Sequence, residues 1–580
     1  MKKVLPIGRD SFRDVRTGRK ENYYVDKTLM IKEFLDYNNV VSLITRPRRF
    51  GKTLNMTMLR DFFDIEQDSV DIFAGLNIME TEYADQINTR PVIFLTLKNC
   101  SGSNIGEMCI ALAKAIRNDY LKYNGIFSKK IDKDDDDYFA FYKTYEMLKE
   151  VCEEQTIDEA GVLQKIYKVD RTLLKSSLSE LIKSVCAFYN KKPLLLIDEY
   201  DQPLIKAHEM GYREEFSKNV YAPFLGNALK GNDYLEQALL TGIQRIAKES
   251  IFSEVNNFVV YTVLDNDYAT YFGLETDETR ELLEYYDLEL NEEVTSYYDG
   301  YSIADADVYN PWSIISYAHK KRLQSYWVNT STNGLIKEAI PKANEGFHID
   351  FERLILDKEV RVASNLETSF VELATPQTLW GLLISAGYLT VTKVYRSGAT
   401  RVRIPNEEVK KEFREIVSAY TRVQVNQLED LFNALFDQEM EEFLRLYQAL
   451  VYNYVSYHDV KDGEKSNSKY LENSYHMLFL GMSISVSGLY EITSNLEAGH
   501  GRGDIMMKSL QPDLRPHIVV ELKEGENVEK LKQVALDQIF AKKYYVKLEG
   551  RVLCIGLAHS MKECELVYQE IMVNEFGEIV

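Results

Sequence analysis

Hydrophobic residues in the first half of the chain form short continuous runs that are separated by segments with helical spacing. The runs predict strands at residues 40–44, 92–97, 194–197, 238–241 and 258–263. Runs of this length suit strands that are buried on both faces. Because strands that alternate with helices form parallel sheets covered by helices on both faces, the pattern predicts a doubly wound α/β fold.

Two of the intervening segments place their apolar residues on one helical face. In both, apolar residues recur at intervals of three and four, which suits a helix that packs on a sheet. The two faces comprise Leu54, Met58, Leu59, Phe62 and Phe63 after the first strand, and Leu174, Leu178, Leu181, Ile182 and Val185 before the third.

The pattern changes twice further along the chain. Beyond residue 290 it becomes helical and aromatic, and we interpret Trp312, Trp327 and Trp380 as ordinary aromatic core. An amphipathic helical region begins near residue 425, and from residue 490 the order becomes strand, hairpin, strand, helix, strand. We therefore predict three domains: an α/β domain at 1–285, a mostly helical middle domain at 286–425, and a small α/β domain at 426–580.

Composition agrees with a multidomain globular protein. The 580 residues exceed what one hydrophobic core usually organises, and 45% apolar with 27% charged residues is ordinary for such proteins. No run approaches the roughly 20 apolar residues of a membrane-spanning helix, and the first residues lack a signal-peptide core. We therefore expect a cytoplasmic protein that does not engage a membrane. The six cysteines show no CxxC spacing, so neither a zinc site nor a disulfide framework is indicated.

The net charge of −21 limits how the chain could contact nucleic acid. Phosphate contacts require clustered Lys and Arg, which an acidic chain cannot present over its whole surface. Any contact with DNA or RNA is therefore expected at a local site.

A glycine, a lysine and a threonine lie between the first predicted strand and the first predicted helix. Gly51, Lys52 and Thr53 occupy the position that a phosphate-binding P-loop requires. In such a loop the backbone N–H groups hold the β-phosphate, the lysine neutralises phosphate oxygens, and the threonine hydroxyl binds Mg²⁺. The same three residues also occur in chance turns, and Arg46, followed by Pro47, replaces the first glycine of the pattern.

The third predicted strand ends in two carboxylates, Asp198 and Glu199. This is where ligands bind in open α/β sheets. We expect Asp198 to hold Mg²⁺ through water, and Glu199 to orient and deprotonate the attacking water. In the alternative interpretation, the two acids only end a strand and cap the next helix. That interpretation does not explain why the acids and the P-loop motif occur together. The fourth predicted strand ends at Thr241, which we expect to contact the γ-phosphate or the water.

Arg245 lies four residues, or one helical turn, after Thr241. It is a candidate sensor or finger that would add positive charge to the transition state. A surface arginine in a plain salt bridge is the simpler interpretation.

Five segments carry a resemblance to a known family. They are PIGRDSF at 6–12, TRPRRFGKT at 45–53, LIDEYDQPL at 196–204, LTGIQRIAKESIFSEVNN at 240–257 and YNPWS at 309–313. Together they are similar to the bacterial AAA-ATPase-like family, whose members often end in a PD-(D/E)XK nuclease domain. The resemblance implies an AAA-like P-loop ATPase that binds ATP and Mg²⁺. It also implies that arginine at the first-glycine position is a family variant, so Arg46 and Arg49 are assigned to the nucleotide-binding loop.

Two carboxylates and a lysine occur on neighbouring predicted strands near the C-terminal end. Glu521 and Lys523 are two residues apart on one strand and share a face, and a hairpin could place Asp504 beside them. Two carboxylates suit Mg²⁺ or Mn²⁺, which can activate water, while Lys523 would help to hold the nucleophile. Most E-x-K triplets are solvated strand faces. Here an apolar strand leads into the triplet, so the charged pair needs partners.

Two further residues complete this candidate site. Gln538 shares a helix face with Leu531, Val534 and Ala535, and it is either a satisfied core amide or an active-site amide, which the nearby triad favours. The segment resembles the PD-(D/E)XK fold with its D, E and K present. That resemblance assigns Glu472, on the preceding helix, as an upstream acidic metal ligand.

These features favour an ATPase coupled to Mg²⁺-dependent phosphodiester cleavage of nucleic acid, with DNA favoured as the substrate. A second class is a nucleotide-driven switch that binds protein partners, with a non-catalytic C-terminal module for nucleic-acid binding or scaffolding, and the acidity slightly favours it. An ATP-independent nuclease with a structural P-loop ranks last, because it makes Glu199 and Thr241 coincidental. Whether the chain forms a homo-oligomer or binds a protein partner stays open.

Overall fold

The computed structural model describes residues 2–18, 20–132, 135, 138–157, 163–246, 258–327, 336, 340, 343, 345–355, 358–368, 375–413, 425–459, 468–483, 486, 488–498, 501–560 and 563–580. The chain packs into two compact units: Met1–Lys342 with Glu359–Val409, and Ala343–Lys358 with Lys410–Val580. The predicted division at residues 285 and 425 stays a prediction. Among the described helices, none has the length and apolar character needed to cross a membrane.

A five-stranded parallel sheet lies at the centre of the first unit. Its strands are β1 (Val41–Thr45), β2 (Val92–Thr96), β3 (Leu194–Asp198), β4 (Gln237–Gly242) and β5 (Phe258–Tyr261). They are arranged in the order β2-β3-β4-β1-β5. The three central strands β1, β3 and β4 are buried along their whole length, whereas β2 and β5 are partly exposed edges. The predicted strands and the predicted α/β class are therefore confirmed.

Helices flank this sheet, and the apolar faces predicted for two of these helices are buried in the core. The residues of these faces that are fully buried are Met58, Leu59, Phe62, Phe63, Leu174, Leu178, Leu181, Ile182 and Val185. The helices of the first unit are Phe12–Arg16, Leu29–Tyr37, Lys52–Phe63, Val70–Phe73, Ile105–Phe127, Phe139–Glu150, Arg171–Tyr189, Gln202–Glu209, Arg213–Phe216, Ala222–Leu229, Thr276–Tyr285, Glu292–Tyr298, Pro311–Lys320 and Pro376–Ala386.

The part of the chain after residue 290 contains helices, as expected. Short strands that the sequence did not predict occur there and also before residue 290. One antiparallel sheet of three strands is formed by Leu274–Glu275, Tyr301–Ile303 and Ala306–Tyr309. A second is formed by Val360–Val362, Thr390–Val394 and Thr400–Arg403. Two-stranded pairings join Arg245–Ile246 with Glu367–Thr368 and Cys152–Ile157 with Leu163–Lys168. Strands of two to six residues are too short to show a clear alternation of apolar and polar positions.

The second unit contains a mixed five-stranded sheet. Its strands are β6 (Tyr490–Ala498), β7 (Gly501–Ser509), β8 (His517–Glu524), β9 (Gly550–Ser560) and β10 (Glu563–Val573), and they pair in chain order. Only β8 and β9 are parallel among these pairs, and the helix Val528–Lys542 connects them, as a parallel crossover requires. The other helices of this unit are Glu345–Ile355, Val425–Phe436, Met440–Asp459 and Ser468–Ser483.

Both faces of the mixed sheet are covered by apolar side chains. Ile505 and Val520 lie on one face, in a core formed with the helices that precede the sheet. Met506 and Val519 lie on the other face, against Leu536 of the crossover helix. This alternation places Asp504 and Glu521 on the face of the crossover helix, because they are two residues from Met506 and Val519.

Candidate active sites

The P-loop connects β1 to the helix Lys52–Phe63. Gly51 caps this helix with φ +84°, a left-handed conformation that glycine adopts without strain. The Lys52 ammonium is buried and donates hydrogen bonds to the carbonyl oxygens of Arg46 (2.9 Å) and Pro47 (2.8 Å). Burial lowers the pKa of Lys52, although carboxylates beginning with Glu199 oppose the shift. A buried cation at a helix N-terminus is a suitable site for phosphate.

Asp198, at the end of β3, joins the P-loop to β4. Its Oδ2 accepts a hydrogen bond from the Thr53 hydroxyl (2.7 Å), and its Oδ1 accepts one from the Thr241 hydroxyl (2.8 Å). Asp198 and Thr241 are fully buried behind this contact. The hydroxyl of Thr53 and the carboxylate of Asp198 are the hard oxygen donors that Mg²⁺ prefers, so the residues fit this ion.

Glu199 follows Asp198 in a left-handed backbone conformation with φ +54°. The turn separates the two carboxylates: Asp198 lies behind the loop, whereas Glu199 lines an open cavity together with Lys52 and Thr53. Burial raises the pKa of Glu199, and the Lys52 ammonium opposes part of this shift. A raised pKa makes the carboxylate a stronger base for water.

Asp201 has a structural position that the sequence analysis did not assign. Its Oδ2 accepts hydrogen bonds from the backbone N–H groups of Ile243 (2.9 Å) and Gln244 (3.0 Å), so it ties the turn after β3 to the turn after β4. Gly242 is required at this approach, because a Cβ there would lie 2.8 Å from the carboxylate of Asp201 and from the ring of Tyr200.

Arg46 is fully buried and fixes the loop to the end of β5. Its guanidinium donates to the backbone carbonyls of Thr45 (2.9 Å), Tyr261 (3.1 Å), Thr262 (2.7 Å) and Asp267 (3.1 Å). Burial lowers its pKa to about 10. The structure thus places the predicted nucleotide-binding Arg46 among backbone carbonyls, where it acts as a support for the loop.

The cavity in front of the P-loop has a volume of about 620 Å³. Arg48 and Arg49 line it along with Gly51 and Glu199. Arg48 was not assigned from the sequence, although burial lowers its pKa and Glu199 is the charge that most opposes this shift. The cavity also reaches Trp312, which the sequence analysis interpreted as core. No signal in the sequence distinguished it from the other two tryptophans, which are buried.

Arg245 is not one helical turn beyond Thr241. It lies on the two-residue strand Arg245–Ile246, which follows a bend at residues 243–244 and pairs in parallel with Glu367–Thr368. The remainder of the resembling segment, residues 247–257, is outside the described residues. The role proposed for Arg245 in ATP hydrolysis stays a prediction.

The second candidate site lies on β7 and β8 of the second unit. The backbone N–H of Asp504 donates to Glu521 Oε2 (3.3 Å), and the N–H of Leu522 donates to Asp504 Oδ2 (2.7 Å). Lys523 Nζ donates to Glu521 Oε1 at 2.9 Å. The antiparallel register pairs Ile505 with Val520, so the next position along brings Asp504 opposite Glu521. The three predicted residues are therefore together.

Gln538 of the crossover helix also reaches this site. Its Nε2 donates to Glu521 Oε1 and to the Tyr544 hydroxyl, the latter at 3.0 Å. Val534, which the sequence placed on the same apolar face, is 42% exposed, so the face is narrower than predicted. Glu472 belongs to the helix Ser468–Ser483, but its side chain is outside what the structure describes.

A buried carboxylate, Glu521, beside a partly buried one, Asp504, gives the site its electrostatic character. The Glu521 side chain is 1% exposed, and burial followed by the charge of Asp504 raises its pKa, while Lys523 opposes the shift. Within the described residues, no three His, Cys, Asp or Glu side chains are arranged to hold a metal ion. Two carboxylates nevertheless fit Mg²⁺, which commonly uses one or two and keeps several waters.

Comparisons with known proteins match the two parts of the chain in which the candidate sites lie. Residues 6–252 match the family described as predicted AAA-ATPase, and residues 470–569 match the PD-(D/E)XK nuclease superfamily. The family resemblance drawn from the sequence is confirmed. The chain is also similar to an uncharacterized protein in the vnfD 5' region of Azotobacter chroococcum mcd 1, with 25% identity over 421 residues that cover 71% of this chain and 70% of the relative.

In the region that matches the predicted AAA-ATPase family, Arg46→Gly introduces the usual glycine of a P-loop and is expected to destabilise the protein. Four backbone carbonyls would lose a charged donor, which we expect to cost about 2–5 kcal/mol of unfolding free energy. Calorimetry should show a lower melting temperature, whereas Arg396→Gly, at an exposed position, should change it little. An unchanged melting temperature for Arg46→Gly would show that these contacts are dispensable.

Lys52→Ala is expected to weaken ATP binding by about 10- to 100-fold, because a buried charged donor facing the phosphates is lost. Isothermal titration calorimetry with ATP and Mg²⁺ measures this directly. The control is Lys183→Ala, an exposed lysine on the helix Arg171–Tyr189. Equal affinities for the wild type and Lys52→Ala would contradict the P-loop assignment.

Proposed function

We propose that the first unit binds ATP with Mg²⁺ and hydrolyses it, and that the C-terminal domain cleaves phosphodiester bonds in nucleic acid, with DNA favoured. The observation that carries the first half is the contact of Asp198 with both Thr53 and Thr241 beside Lys52. It brings the P-loop, the acidic strand and the polar end of β4 to one place.

The residues around the P-loop have separate tasks in this proposal. Lys52 and the N–H groups after Gly51 hold the phosphates. Thr53, and Asp198 through water, would hold Mg²⁺, which would neutralise charge that develops on the phosphate oxygens. Glu199 lies in the cavity wall, where it accepts a proton from the water that attacks the γ-phosphorus. Thr241 fixes the orientation of the Asp198 carboxylate through its hydroxyl.

The nuclease proposal rests on Asp504, Glu521 and Lys523. The two carboxylates would hold Mg²⁺ or Mn²⁺, an ion that makes bound water a nucleophile at neutral pH. Lys523 is 23% exposed and bonded to Glu521, so its ammonium can orient the attacking water and offset negative charge on the phosphate. Gln538 holds Glu521 in position by donating to the same oxygen as Lys523.

Glu199→Gln should retain ATP binding and lower turnover by roughly 10² to 10⁴, the usual contribution of a positioned base. The amide keeps the size of the side chain but cannot accept the proton. Steady-state ATPase assays and ATP titrations on the same preparation separate the two effects. Glu209→Gln, on the helix after this turn, is the matched control. Normal turnover by Glu199→Gln would assign the base to another group.

Asp504→Asn and Glu521→Gln should each abolish metal-dependent cleavage and leave ATP turnover largely intact, because the residues lie in the other unit. Lys523→Ala should retain metal binding and slow cleavage. The assay uses labelled single- and double-stranded DNA and RNA with Mg²⁺ or Mn²⁺, with and without ATP. Glu491→Gln and Lys508→Ala are exposed controls on β6 and β7.

The same assay tests the competing function, a nucleotide-driven switch for protein partners. Wild-type protein that cuts none of these substrates would identify the C-terminal domain as a binding or scaffold module, and the chain as a nucleotide-driven switch for protein partners. ATP turnover measured with and without DNA tests the coupling of the two activities. Stimulation by DNA is expected if both domains serve one mechanism.

A further inference from the structure

The wall of the cavity in front of the P-loop contains more groups than phosphate binding requires. Part of the wall consists of charged and polar groups of the P-loop and of Glu199. Another part, which we call the apolar end, contains Ile7, Leu274, Leu282, Trp312 and Ile315. A cavity whose wall has both a charged part and an apolar part matches a ligand that has a phosphate chain and a flat apolar ring.

Trp312 is held in a fixed orientation at this apolar end. Its indole N–H donates to the carbonyl of Tyr326 (2.9 Å), and the Arg49 guanidinium lies over the ring at 4.2 Å from its centre. The tryptophan is near the start of the helix Pro311–Lys320, which Asn310 caps by accepting the N–H groups of Trp312 and Ser313. An aromatic ring fixed in this way can stack on a ligand with little loss of side-chain entropy.

The N-terminal segment forms part of the same wall. Pro6, Ile7 and Gly8 line the cavity, and Gly8 has φ +72° in a turn where the N–H of Arg9 donates to the carbonyl of Pro6 (3.2 Å). Leu5 and Tyr23 pack against the core that contains Leu282. The apolar end is therefore assembled from segments that are distant in sequence and fixed by a common core.

We propose that this apolar end is a nucleobase subsite in which the base of the bound nucleoside triphosphate stacks on Trp312. The inference rests on the proposed nucleotide-binding function and adds the residues that recognise the base. Arg49 is a positioning residue here, because its guanidinium holds the indole ring. Purine nucleotides should bind more tightly than pyrimidine nucleotides, since stacking increases with the area of the ring.

Binding of inorganic tripolyphosphate separates this subsite from the P-loop. Tripolyphosphate carries the phosphates without a base, so Trp312→Ala should leave its affinity unchanged, while the affinity for ATP should fall about 5- to 150-fold, the usual contribution of one base stacked on an aromatic side chain. Trp312→Phe retains an aromatic ring, so its affinity for ATP should fall less. Calorimetric titrations of both ligands, and of CTP, measure these differences.

Tryptophan fluorescence provides a second readout that needs no disruptive variant. ATP should quench the emission of the wild type, whereas tripolyphosphate should not. The quenching should disappear in Trp312→Phe and persist in Trp380→Phe, because Trp380 is only 3% exposed and does not line the cavity.

The possible outcomes distinguish the two proposals. If ATP and tripolyphosphate bind the wild type equally and both need Lys52, the P-loop assignment stands and the base subsite is wrong. An equal loss of affinity for both ligands in Trp312→Ala would also contradict the base subsite, since Trp312 would then only support the loop. If neither ligand binds the wild type, the nucleotide-binding proposal itself fails.

Discussion

The hydrogen bonds that Asp198 accepts from Thr53 and Thr241 are the contact on which the first site depends. A carboxylate that is completely removed from water needs strong donors, and here both donors come from other segments. The contact is available because parallel strands end at one edge of the sheet and because β4 lies between β1 and β3. The requirement to pair one buried charge thus aligns the P-loop with the acidic edge.

The three arginines of the P-loop have different roles because their side chains have different surroundings. Arg46 is surrounded by backbone carbonyls and takes the place of a glycine by fixing the loop to the end of β5. Arg49 has a left-handed backbone conformation and lies on Trp312 instead. Arg48 remains on the cavity wall, and its carbonyl accepts the indole N–H of Trp327 (3.3 Å). The loop is consequently held by contacts with several neighbouring segments.

The second site places two carboxylates together in a different way. Asp504 and Glu521 are brought opposite each other by an antiparallel register, and backbone N–H groups as well as Lys523 and Gln538 donate to their oxygens. Burial opposes ionisation of Glu521, and the like charge of Asp504 adds to this effect, which is why the pKa of Glu521 is raised. Both sites therefore contain a buried acid that donors from neighbouring segments stabilise.

The sequence by itself determined the five strands of the parallel sheet, the two helices with apolar faces and the residues of both motifs. Runs of apolar residues, and side chains two apart on a strand, have local physical consequences. It placed Gly51, Lys52 and Thr53 on a loop before a helix, and Glu521 with Lys523 on one strand face. Only the tertiary structure decided that β4 separates β1 from β3, that Arg46 turns into the interior, that Asp201 joins two turns, and that Trp312 lines a cavity instead of the core. Those features depend on which distant segments pack together, and neither local periodicity nor motif spacing contains that information.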